Sequence, residues 1–138
     1  MLIGTGALAG IVENSDLTTV LITSLQSSGL PSFTLAPLSG AFMSAATAST
    51  TAGTIVASNV FSIPILELGV SAIGGAAMIH AGATVFDTMP HGSFLHATGG
   101  ATCMHIKERL QLLPYEFIVG FSLATGSTLV FGVFKVFQ

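Results

Sequence analysis

Asp87-Thr88-Met89-Pro90-His91-Gly92 interrupts an otherwise apolar sequence, and its aspartate is the one formally charged side chain between Glu67 and Lys107. An Asp inside hydrocarbon costs about 2.5–3.5 kcal/mol on insertion scales, and Pro90 removes a backbone donor from the same short segment. Broken, charged backbone survives at membrane depth where it faces protein, ions or a water-filled cavity. The stretch therefore reads as the break in a discontinuous transmembrane helix.

Outward from the break lie two uncharged arms, residues 68–86 and 93–104, both rich in Gly and Ala. Unwinding around Met89-Pro90 leaves carbonyls at the end of the first arm and amides at the start of the second. These ends suit a cation and an anionic group respectively.

Composition supports the membrane as solvent. Of 138 residues, 51% are hydrophobic and 7% charged, with a mean hydropathy of +0.85. A soluble domain carries about 25% charged residues. Net charge is −3 with three basic residues, Lys107, Arg109 and Lys135. That leaves no positive patch for nucleic acid. Cys103 is the single cysteine. Neither an internal disulfide nor a paired-Cys metal site can form, and it reads as a small packing residue. His80, His96 and His105 have no metal-site spacing, so no metal or cofactor is expected. No Ser, His and Asp set has diagnostic spacing either, which sets an intramembrane enzyme aside.

Upstream, residues 33–66 form an apolar stretch bounded by Pro37 and Pro64, with eleven consecutive residues, 44–54, drawn from Ser, Ala, Thr and Gly. Two readings stand. Small residues at every third or fourth position make a helix packing face, whereas small residues at every position suit the tip of a re-entrant hairpin with hydroxyls and backbone free for a ligand. Residues 1–32 give two partial helices and a turn, punctuated by Gly29 and Pro31. No basic region precedes the first apolar run, so a removable signal peptide is not expected, and the abrupt start suggests a missing N-terminal part.

Downstream, residues 105–114 read as a loop containing Lys107 and Arg109, which favours the cytoplasm for that loop and the outside for the C-terminus. Residues 115–138 read as a complete terminal span, with Glu116 near one interface and Lys135 reaching the other.

In this order the segments resemble the C-terminal part of the gluconate permease family, within the ion transporter superfamily of secondary carriers. Gly4-Thr5-Gly6-Ala7-Leu8 is similar to the family's glycine-rich segment and Ala45–Gly53 to its small-residue hairpin. Asp87 to Gly92 resembles its Asp-Thr-Leu-Pro-His-Asn signature, with Gly92 where Asn is common. The resemblance implies an all-α membrane protein holding an incomplete second inverted repeat. It implies a carrier for a small organic acid with a coupling proton or cation, in a multi-pass arrangement in the inner (cytoplasmic) membrane. The rest of the site would come from an N-terminal repeat or a second copy.

Candidate ligands are Ser49, Thr50, Thr51 and Gly53 in the hairpin, and Asp87, Thr88, His91 and Gly92 at the break. Asp87 can couple transport through a proton or cation, or cap a helix by accepting from backbone amides. His91, four residues on, can hydrogen-bond Asp87 and take part in proton transfer, or be an ordinary hydrogen-bonded histidine. The alternative function is a small self-assembling membrane protein that forms a pore or regulates another complex. All readings include membrane lipid as a partner.

Overall fold

The computed structural model describes residues 2–136, so Phe137 and Gln138, the last positions of the expected terminal span, lie outside it. The described residues form seven α-helices and no strand. Helix α1 (Leu2–Glu13) stops where Asn14 and Ser15 donate side-chain hydrogen bonds back to the carbonyls of Gly10 and Val12, at 2.8 and 2.6 Å. Such local bonds compete with helix continuation. Helix α2 (Leu17–Ser28) ends on Gly29 at φ 68°, a left-handed cap that glycine adopts without strain. Pro31 and a 3-10 turn (Ser32–Thr34) lead into α3 (Leu35–Thr47).

Helices α3 and α4 (Thr50–Glu67) form a hairpin that turns at Ala48 (φ 54°) and Ser49. Ser49 Oγ accepts from the Ala52 amide at 3.3 Å and so caps the start of α4. The arms meet closely. A β-carbon at Gly53 would lie 2.5 Å from the Cα and N of Ser44. Helix α5 (Ala72–Ala83) packs along both arms, and Gly40 and Gly82 lie directly against the carbonyls of Ile79 and Pro37. Removing side chains at these crossings lets backbones approach, the usual substitute for hydrophobic drive inside lipid. Around them Leu35, Met43, Val56, Phe61, Met78 and Ile79 are buried.

The first arm before the break is shorter than residues 68–86. Helix α4 runs through Pro64 to Glu67, Gly69 (φ 82°) turns the chain, and Ser71 Oγ caps a fresh helix by accepting from Gly74. α5 then continues through a 3-10 turn (Thr84–Phe86) into the non-helical residues 87–92. Helix α6 (Ser93–Ala101) follows, so the helix is discontinuous.

Residues 106–114 are helical rather than a loop. Helix α7 (Ile106–Ser127) begins where Glu108 accepts from the His105 amide at 2.9 Å, and Pro114 is carried inside it. It continues as a π-helical segment (Thr128–Val133). The combined 28-residue helix contains an 18-residue window of mean hydropathy 1.5 and is long and apolar enough to cross a membrane, at roughly 40 Å. Its outer face leaves Tyr115, Ile118, Val119 and Phe121 exposed, an apolar surface suited to lipid or protein. Cys103 is exposed at φ 53° in the turn after α6, not packed inside as its chemistry suggested.

Candidate functional site

The hairpin tip and the helix break lie against each other. The Thr50 amide, in the first turn of α4, donates to Asp87 Oδ1 at 3.3 Å across 37 residues of sequence. That amide has no partner within its own helix, and the positive end of the helix dipole favours an anion there. Asp87 is therefore a cap, but of α4 rather than of the helix that follows it. From the same break His91 Nε2 donates to the Ala45 carbonyl of α3 at 2.9 Å, so His91 faces the hairpin and is not paired with Asp87. Gly92 is buried under the tip, where a β-carbon would stand 3.0 Å from the Asp87 carbonyl oxygen and 3.5 Å from that of Ala48.

Two hydroxyl oxygens in this hairpin, Ser44 Oγ and Thr50 Oγ1, are buried and find no hydrogen-bond partner among the described residues. A buried hydroxyl without a partner costs about 1–3 kcal/mol, a cost that a ligand or ion can remove. Thr51 is exposed. Gly53 and Ser49 already have structural work, in the crossing of the arms and in the cap. Of the hairpin candidates, Thr50 stands nearest to ligand chemistry.

The break also lines an open cleft of about 320 Å3, shared by Asp87, Thr88, Phe94, Tyr115, Glu116 and Gly120, with apolar walls between them. Gly120 permits this approach of α7, since a β-carbon there would meet the Thr84 carbonyl oxygen at 2.9 Å. Glu116 is held by Arg109 two turns earlier on α7, with Nη1 2.8 Å from Oε1. The Arg109 side chain is 3% exposed, and its Nε donates to Thr98 Oγ1 of α6 at 3.1 Å. Nη1 and Glu116 Oε2 have no aligned hydrogen bond, so the Arg109–Glu116 contact is ionic.

Neither Arg109 nor Glu116 stood out as a site residue from sequence. Their spacing of seven, which places both on one helix face, was the available signal. No group of three or more His, Cys, Asp or Glu side chains gathers among the described residues.

No family model matches the chain, and no solved structure matches it. Over 135 residues it is 70% identical to a protein of Haemophilus influenzae named "Uncharacterized transporter", a match that takes in 98% of this chain. The chain spans 32% of the length of that curated relative. It is thus similar to a stretch of a transporter, with the helix break and hairpin inside the matched region.

Proposed function

We propose that the chain forms part of a secondary active transporter that carries a small organic anion, gluconate or a related carboxylate, with protons or sodium. The observation that carries this reading is the hydrogen bond from the Thr50 amide to Asp87. It joins a hydroxyl-rich helical hairpin to a broken helix, which supports a site of the kind that transporters build from such pairs near the membrane midplane. The 12 helical residues of α5 reach roughly 18 Å, short of a hydrocarbon core of about 30 Å, which favours a break inside the membrane.

The α4 N-terminus is an anion seat occupied by Asp87. A proton on the carboxyl, or a cation beside it, weakens that contact and frees the Thr50 amide for a hydroxyl oxygen of the substrate, with the Thr50 and Ser44 hydroxyls at hand. Thr88, His91 and Gly92 complete the wall from the break. The opposite wall comes from other parts of a longer polypeptide or from a second copy, in a multi-pass protein of the cytoplasmic membrane. Asp87→Asn keeps an acceptor for Thr50 but cannot change charge. In proteoliposomes holding the intact protein, gradient-driven accumulation of gluconate is expected to be lost, while downhill exchange persists. Undiminished accumulation by the variant contradicts the reading.

A further inference from the structure

Arg109 is a buried cation with donor capacity to spare. A guanidinium carries five N–H groups in a planar fork suited to two carboxylate oxygens, yet the aligned bond here is the one from Nε to Thr98. Its charge is answered by a single Glu116 oxygen in ionic contact. The other oxygen of Glu116 has no partner, and the Glu116 side chain is 29% exposed on the cavity that also holds Asp87 and Thr88. Glu116 therefore stands between a nearly inaccessible guanidinium and a cavity whose size falls at the lower end of small-molecule sites, about 300–1,000 Å3.

We propose that Arg109 is a binding residue for the carboxylate of the transported anion, kept occupied by Glu116 until Glu116 takes a proton. This rests on reading the chain as part of a carboxylate carrier. A buried Arg cannot be left without a counter-charge, so Glu116 can leave only as another anion arrives. The incoming carboxylate takes the place of Glu116 Oε1 at Nη1, and Glu116 accepts a proton from the cavity. One anion and one proton enter together, and the net charge of the site is unchanged.

The charged and titratable groups around Glu116 are Arg109 and Tyr115 on α7 and Asp87 from the break. Helix α6 contributes the neutral Thr98 and Phe94.

Glu116→Ala removes the resident carboxylate and leaves room for a soluble one. In the intact detergent-solubilised protein, sodium acetate is expected to raise the variant's thermal midpoint by a few degrees, saturably. Sodium chloride at equal concentration should not, nor should acetate act on the Arg109→Gln, Glu116→Ala double variant. An acetate response no larger than the chloride response overturns the proposal. If Glu116→Ala cannot be recovered folded, Glu116→Gln leaves the same guanidinium unanswered, and the same comparison of acetate with chloride decides.

Uptake separates the two ideas. An acetate response without gluconate accumulation by the unmodified protein retains the anion site and removes the carrier reading. Accumulation without an acetate response does the reverse. In the unmodified carrier, Arg109→Gln is expected to lower apparent gluconate affinity roughly tenfold or more, the scale of a lost charged hydrogen bond.

Discussion

Gly53 shows how a single residue type can carry two meanings in a small-residue run. From sequence it belongs with Ser49, Thr50 and Thr51 as a candidate ligand, because one uninterrupted stretch of Ser, Ala, Thr and Gly does not reveal which face points inward. In the folded hairpin it is the crossing point, where a β-carbon would meet Ser44 backbone at 2.5 Å. Gly53→Val is therefore expected to destabilise the protein by about 1–3 kcal/mol or more, by overpacking. Gly126→Ala, in helix α7 where a β-carbon meets nothing within 4 Å, should be neutral or stabilising by up to ~1 kcal/mol. Thermal unfolding of the two variants checks the contrast, and equal midpoints would contradict it. Asp87 was legible for the opposite reason. A lone carboxylate in apolar sequence announces its cost, though not that its hydrogen-bond partner would be an amide 37 residues away.

At the scale of elements, Arg109 of α7 ties down α6. Arg109 lies across Gly99, where a β-carbon would sit 3.7 Å from its Cγ, and bonds Thr98 in the same turn. Breaking a buried ion pair from one side costs about 3–5 kcal/mol, whereas replacing both partners with apolar residues can be neutral. Arg109→Leu should accordingly speed amide hydrogen exchange across residues 93–101 and lower the thermal midpoint, and adding Glu116→Leu should restore most of both. No recovery in the double variant would show that the pair is not the pin.

The same pair explains why residues 105–114 read as a loop. Lys107, Glu108 and Arg109 in succession look solvated and Pro114 looks like a terminator, yet Arg109 finds its partner inside and Glu108 caps the helix start at 2.9 Å. With Arg109 buried, it no longer counts as a loop charge in the orientation argument. The helix break, by contrast, was readable because Asp87, Pro90 and Gly92 all resist a regular helix for separate reasons. Its first arm was misjudged in length because Gly69 and Ser71 look ordinary among so many small residues.

At the scale of the whole molecule, hydropathy spoke for the solvent and two polar interruptions spoke for the architecture, but neither said that the interruptions meet. That meeting depends on how α3, α4 and α5 cross at Gly40, Gly53 and Gly82, a packing result invisible in a sequence where glycine is common. It is also what turns a capped helix and a kink into one polar junction beside the cleft that Glu116 lines. The most direct test joins the two interruptions covalently. In the intact protein with Cys103→Ser, the pair Ala48→Cys and Gly92→Cys is oxidised and gluconate accumulation measured before and after reduction. A disulfide that forms readily, stops accumulation and releases it on reduction is the expected result. Failure of the pair to cross-link, or full accumulation by the cross-linked protein, would contradict the claim that the hairpin tip and the helix break together form the transport site.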